Sequence, residues 1–538
     1  MIAQLVLSVI AVIVFYIFVD IARIWYRNWT SGLDYIDGPK NSSLILGNFK
    51  EMNEDPYLTS KWRKQFGPIF NFKDLFGVGE LYVGDIKAVA HIVSKSDIYE
   101  RTPAIQISNA SIMGHGILSA VGEKHRRHRR ALNPAFTVAQ IRGMTELFVE
   151  KGVQLREIWT RQLTKTNGKG EIEVQGWLRR LTLDIIGQAG FNYSFDSLES
   201  EGKPNALNDA FTQIFHSPHA NQYTAFRLAG GIIPILKFVP GPGWRIVRAA
   251  RATMLSIGAG IVSSTKAELQ ASGDGKRGLD GKKDLLSSLL KANMSDSEAQ
   301  RLNDGEVVGQ IPAFFIAGHE TTSSALAWAL HELSENPSVQ TKLREELLSV
   351  ETDNPTLDDL NALPYLECVV RESLRVHSPV LANKRFAVKD DVVPLGKPFI
   401  GKDGKERDCI PIRKGQTLHI PMLAVNTDKS VWGEDADEFK PERWDNLPAA
   451  VSGVPGVWGN ILTFFAGPHN CIGFRFSIAE TKAILFVLLR AFEFEAKHPK
   501  GSIGMLVTSG VAKPGVLGKQ NGEGEGLELI VKAFSGNA

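Results

Sequence analysis

The stretch NDGEVVGQIPAFFIAGHETTSSALAWALHELSENP, Asn303 to Pro337, limits most tightly what this chain can fold into. Its spacing predicts a helix of about nine turns, with Asp304 at the N-cap and Pro337 beyond the end. The centre, Ile311 to Gly318, is apolar around the whole circumference, and such a helix must have protein on every side. The chain can supply that much core: it has 538 residues, 43% of them hydrophobic. No linker-like break divides it, so the expectation is one large, mainly helical domain. Phe314, Ala317, Gly318 and Thr321 share one stripe. Gly318 gives up helix propensity in exchange for close approach to the backbone. Glu320 and Thr321 put an acid and a hydroxyl at mid-helix. Two readings are open for them: a bonded polar pair in the core, or groups that handle protons.

Three other regions frame that helix. Met1 to Val19 holds no charged side chain, and nineteen helical residues span roughly 29 Å, about one hydrocarbon core. A cleaved signal peptide would want a positive n-region and a small-residue cleavage site. Neither is present, and Ile24, Trp25 and Tyr26 follow closely. Residues 1–30 therefore read as a membrane anchor with interfacial aromatics. Arg23, Arg27 and Lys40 place the remaining residues 31–538 on the cytosolic side. Ile69 to Asp85 alternates as a β-hairpin does. Val393 to Pro421 reads as short strands and turns. Leu269 to Asp284 reads as a solvated loop, and Gly518 to Gly526 as a hairpin tip with no nucleotide role. The fold class expected is mainly α with small β-sheets.

With 61 basic and 59 acidic residues, nothing favours a polyanionic partner such as nucleic acid. The three cysteines, Cys368, Cys409 and Cys471, are too few for a disulfide framework.

Charged residues appear in two apolar or crowded settings. Glu372 and Arg375, at i and i+3, sit among Val369, Val370, Leu374 and Val376. A desolvated pair needs further partners, and Arg443 in FKPERW is the expected third group. In GEKHRRHRRALNPAF, His125 and His128 are flanked by arginines that repel a cation. The better account is a basic helix facing an anion on one side and an acidic partner on the other.

FFAGPHNCIGFR, Phe464 to Arg475, places Cys471 where a metal-binding thiolate would be favoured. Gly467 permits a sharp bend and Gly473 a close pass by the sulfur. A helix from Ile472 to Phe492 would aim its N–H groups at the thiolate, and Phe464 can shield it.

These segments together resemble the cytochrome P450 haem-thiolate monooxygenases, particularly fungal membrane-anchored members. FFAGPHNCIG is similar to the family's cysteine loop, AGHETT to its oxygen-activation motif, ESLR to its Glu-x-x-Arg, PERW to its Pro-Glu-Arg-Phe, and HRRHR to its Trp-x-x-x-Arg segment. His469, His125 and Trp444 depart from the usual Arg, Trp and Phe. The resemblance implies the cytochrome P450 fold, with the long helix over haem b (iron protoporphyrin IX) and Cys471 as axial ligand. It implies haem carboxylate contacts from Arg129, His125, Arg385 and His469, and proton delivery through Thr321 and Glu320. It implies O2, a lipophilic substrate (terpenoid, sterol-like, fatty or xenobiotic), and an NADPH-cytochrome P450 reductase as electron donor, with cytochrome b5 as a second donor. An endoplasmic reticulum location and a role in fungal specialised metabolism belong to the same expectation. Lys124, Arg126, Arg127 and Arg130 are the expected docking residues for the reductase. By family position the pocket draws on Pro103 to Ile117, Phe314 to Ala317, Val380 to Asn383 and Leu506 to Ser509. A haem-thiolate isomerase or dehydratase and a haem-binding sensor are the alternatives.

Overall fold

The run Asn303–Pro337 does form one continuous helix, and the other elements are arranged around it. The computed structural model describes residues 2–199, 209–210, 212–216, 220–239, 241, 243–271, 279, 284–298, 300–508, 510–518 and 526–534. The helices that build the site are α1 Ile2–Trp29, α2 Pro103–Met113, α3 Gly122–Leu132, α4 Val138–Thr164, α5 Val174–Phe191, α6 Ala220–Ile232 and α7 Trp244–Ala271. They continue with α8 Asp304–Glu335, α9 Pro337–Leu348, α10 Pro364–Val376 and α11 Phe474–Ala491. The strands are β1 Ile69–Lys73, β2 Gly79–Val83, β3 Tyr99–Arg101, β4 Lys169–Glu173, β5 Asn383–Ala387 and β6 Asp391–Ile400. After them come β7 Glu406–Ile412, β8 Thr417–Ile420, β9 Phe492–Ala496, β10 Ile503–Thr508, β11 Val511–Val516 and β12 Glu528–Ala533.

The strands form small sheets at the edges of a helical core. β1-β2-β8-β5-β3 is the largest, with β4-β12-β9 and the pairs β6-β7 and β10-β11 beside it. β1 and β2 are the expected hairpin, paired from Ile69↔Val83 to Lys73↔Gly79. β6, β7 and β8 occupy the stretch expected to return to strands. α7 runs on to Ala271, further than the loop expected from Leu269; most of that loop, and the tip of the Gly518–Gly526 turn, lie outside the described residues.

α8 is about 48 Å long by its 32 residues. Its cap is Asn303, one residue before the expected Asp304. The Asn303 side chain accepts from the Glu306 N–H at 2.8 Å, and the Glu306 carboxylate accepts from the Asn303 N–H at 3.1 Å. This reciprocal box satisfies two end donors, which Asp304 in the first turn could not do. Ile311, Ala313 and Phe315 are buried, as an all-round apolar helix requires. α5, α7 and α11 pack against α8. Pro312 lies inside the helix. It removes one backbone donor there.

The Glu372 carboxylate on α10 is fully buried, and five donors meet it. Oε1 accepts from Arg375 Nη2 at 2.8 Å, Arg443 Nε at 3.1 Å and the Lys440 N–H at 3.0 Å. Oε2 accepts from Arg375 Nε at 2.9 Å and Trp444 Nε1 at 3.1 Å. Arg375 gives its other protons to the carbonyls of Asn426, Ala436 and Glu438. The expected triad therefore forms, and Trp444 adds an indole N–H that the phenyl ring usual at this position lacks. Breaking such a buried set leaves uncompensated charge, at a cost of about 3–5 kcal/mol. Glu372→Ala should lose that much in denaturant unfolding, and Trp444→Phe about 1.5–3 kcal/mol for one bond to a charged group. A loss below about 1 kcal/mol for Glu372→Ala would place the cluster with surface bridges.

Candidate active site

The Cys471 loop is fixed by backbone constraints. Gly467 has φ +65°, and a Cβ there would lie 2.1 Å from the Val93 carbonyl oxygen, so only glycine fits. The chain then makes a short turn over Gly467–His469. The Cys471 N–H donates to the Phe464 carbonyl at 2.8 Å. α11 starts at Phe474, two residues later than expected, with Gly473 as its N-cap. Burial pushes the Cys471 thiol up, while the Gly473 N–H on its sulfur and Arg129 pull it down. Cys471 nonetheless has accessible surface. Phe464 packs between Trp458, at 5.9 Å, and Phe474, at 6.1 Å.

Beside this loop lies a cluster of bases. The His125 and His469 rings are 4.1 Å apart. Burial holds His125 down at about 3 and His469 at about 2, helped by Arg101, Arg129 and Arg385. Both are neutral rings at pH 7. Arg385 is buried; its Nη1 donates to Asn383 Oδ1 at 2.7 Å, but its Nη2 has no partner, and neither does His469 Nδ1. Burial lowers Arg385 to about 9 and Arg101 to about 10. Arg101 and Arg385 are direct cross-strand partners on β3 and β5, a like-charge pairing that opposes sheet formation. Glu100, itself raised by burial, is the nearby acid. A group carrying two carboxylates would supply acceptors and negative charge here, so the residues fit haem b on the orphaned buried donor of Arg385 and on the free thiol of Cys471, two residues beyond His469. Arg101 was missed in the sequence. Its strand is three residues long, and only its pairing with β5 brings it here.

Arg129 is placed differently from the other expected carboxylate contacts. Its two terminal nitrogens donate to the Asn470 carbonyl at 3.0 Å and the Asn470 side chain at 2.8 Å. It braces the cysteine loop from α3. The same helix turns Lys124 (3.4 Å), Arg127 and His128 (3.4 Å) toward Glu306 on α8. The acidic partner of this helix is thus within the chain. Arg126 pairs with Glu123, which leaves Arg130 as the one of the four expected docking residues with no ion pair among the described residues.

On α8, Phe314 stacks with Phe136 at 5.6 Å. The Thr321 hydroxyl donates to the Ala317 carbonyl at 2.7 Å. Glu320 is buried, with Oε1 2.9 Å from His319 Nε2, and the His319 Nδ1 faces the Phe315 carbonyl. The expected close approach at Gly318 is made by protein. A Cβ there would lie 2.9 Å from Ile186 Cγ1 of α5, so this glycine serves helix packing against α5. One turn on, the Thr322 and Ser477 hydroxyls are 3.1 Å apart, tying α8 to α11.

The family model for cytochrome P450 matches residues 37–515. Cytochrome P450 monooxygenases 205 and 128 of Postia placenta are each 43% identical to the chain, over 94% and 95% of both sequences respectively. Cytochrome P450 monooxygenase claQ of Ampulloclitocybe clavipes is 36% identical over 87% of both. The long helix, the buried Glu-x-x-Arg cluster and the cysteine loop all lie within the matched residues, and the chain belongs to the cytochrome P450 family of monooxygenases.

Proposed function

We propose that the protein inserts one oxygen atom of O2 into a lipophilic small molecule, by hydroxylation or epoxidation, with haem b on Cys471 and electrons from an NADPH-dependent reductase. The observation that carries this reading is the Cys471 sulfur just ahead of α11, with the Gly473 N–H directed to it, on a loop whose His469 ring lies beside that of His125. Haem b bound there supplies the redox chemistry that divides O2 between substrate and water.

The remaining work falls to side chains. Cys471 holds the metal as a thiolate, whose charge the Gly473 N–H and Arg129 moderate. Arg385, Arg101, His125 and His469 hold the haem carboxylates. Phe464 and Gly467 keep the loop closed against water. Thr321, one turn from Ala317, holds a proton at the stripe that faces the substrate, and Glu320 with His319 passes protons to it. Of the apolar residues expected at the substrate, Ile112 and Phe314 are buried and Val380 and Leu381 half-buried, a set suited to a terpenoid, sterol-like, fatty or xenobiotic molecule, whereas Ile105 lines the cavity beside α1 and Ile107 the one between α2, α6 and α7.

α1, with 28 residues, is long enough to cross a bilayer. Its apolar side chains from Ile2 to Phe18 are largely exposed. This supports a division into an anchor, residues 1–30, and a catalytic part, residues 31–538, on the cytosolic face of the endoplasmic reticulum.

Two experiments test the reading. Cys471→Ser should lose the red-shifted carbon monoxide absorption of a thiolate haem, while Cys368→Ser and Cys409→Ser keep it; retention of the band in the first variant would refute the ligand assignment. Thr321→Ala should keep haem and substrate-induced spectral change but yield less product per NADPH and release more hydrogen peroxide. Unchanged coupling across several substrates would remove Thr321 from the mechanism. Product formed by the wild type without NADPH or O2 would favour an isomerase.

A further inference from the structure

A cavity of about 320 Å³ lies between α2, α6 and α7, lined by one face of α6 that carries Tyr223, Phe226 and Arg227. The opposite face of α6, with Leu228 and Ile232, looks toward α1. The cavity has an unusual balance of charge. Among the described residues, Arg227, Arg251, Arg248 and Lys237 line it and no carboxylate does. Arg227 Nη2 donates to Thr224 Oγ1 at 3.0 Å, but its Nε and Nη1 are buried with no acceptor among the described residues, and Arg251 Nε is in the same state. Buried guanidinium donors are ordinarily matched by an acceptor, and a buried cation without a counter-charge is costly to hold.

The walls are closely built. A Cβ on Gly241 would lie 2.2 Å from the Phe226 ring, and one on Gly243 (φ +70°) 2.2 Å from the Tyr223 ring. These two glycines let the chain ahead of α7 lie flat on the aromatic face of α6. The Arg248 guanidinium sits 5.1 Å over Trp244. At the mouth, Phe238 is 75% exposed and Trp244 41% exposed. The turn that carries Phe238, residues Pro234–Phe238, touches α1. With α1 in a bilayer, this mouth meets the headgroup layer, where aromatic and basic side chains are at home. A small inorganic anion would have no use for the aromatic walls. A wholly apolar ligand would leave the guanidinium donors unmet.

We propose that this cavity binds the anionic head of an amphiphile, a carboxylate or phosphate carried on an apolar body, with Arg227 and Arg251 as its charge partners. Planar guanidinium donors suit both anions. Burial brings Arg227 down to about 10, which leaves it charged at neutral pH. The head can belong to a lipophilic acid taken up by the enzyme or to an anionic lipid of the membrane, and the test separates these sources.

The full-length, haem-loaded protein would be titrated calorimetrically with dodecanoate and with 1-dodecanol. In parallel it would be floated with phosphatidylcholine vesicles, with and without phosphatidic acid. Dodecanoate should bind more tightly than dodecanol. The double variant Arg227→Gln, Arg251→Gln should weaken dodecanoate by about ten- to a hundredfold and leave dodecanol unchanged; Arg227→Lys should retain part of the preference. A response confined to the phosphatidic acid vesicles would identify the membrane lipid as the source. A double variant that changes neither the dodecanoate preference nor the vesicle preference overturns the proposal. So does one that only lowers the melting temperature, because loss of an unmatched buried cation should leave stability equal or higher. No turnover is measured, so this outcome is independent of the monooxygenase reading.

Discussion

The burial of Glu372 is the interaction on which the cysteine loop depends. Its carboxylate orients Arg375, and Arg375 donates to the Asn426 carbonyl at 2.9 Å. The Asn426 side chain then takes the Leu462 N–H at 2.7 Å and gives to the Thr463 hydroxyl at 2.9 Å. Thr463 in turn donates to the Leu374 carbonyl of α10 at 2.6 Å. The next residue, Phe464, offers the carbonyl that receives the Cys471 N–H. A closed circuit of bonds thus runs from an ion pair on α10 to the thiol. The desolvation cost of Glu372 is offset because every lone pair has a donor, and the geometry of the sulfur is the result.

Positive charge is handled in three ways. In the α10 cluster it is neutralised internally. Along α3 it is divided between Glu306 and the cysteine loop. At Arg385 and at Arg227 it is left with open donors inside the protein. The last case is the informative one, since an open buried donor points to something that the chain itself does not contain.

The sequence revealed what depends on neighbours along the chain. The all-round apolar centre of α8, the alternation of β1 and β2, the glycine spacing about Cys471 and the apolar setting of Glu372 all reflect local geometry. What it hid depends on partners far away. Arg101 matters because β3 pairs with β5. Lys124 and Arg127 reach across to α8 because its first turn carries Glu306 beside them. Gly318 is needed for Ile186, which lies more than a hundred residues earlier. Trp444 matters because its indole N–H reaches Glu372, 72 residues earlier. The cap of α8 was displaced by one residue because Asn303 and Glu306 satisfy each other, and a single-residue propensity does not capture a reciprocal bond.

Pro312 gives α8 a mechanical asymmetry. Toward its C-terminal half the helix is fastened to α11 by Thr322 and Ser477. Toward its N-terminal half it meets the loop just after α2, where Gly309 lies against the backbone of His115 and Gly116 and Gln310 receives the Ile117 N–H. Between the two, the ladder lacks the proline's donor, so bending there breaks one bond fewer than elsewhere. A single rod is thereby divided at Pro312 into a segment tied to α11 and a segment tied to the loop after α2. A displacement at one end can be taken up at that point before it reaches the other.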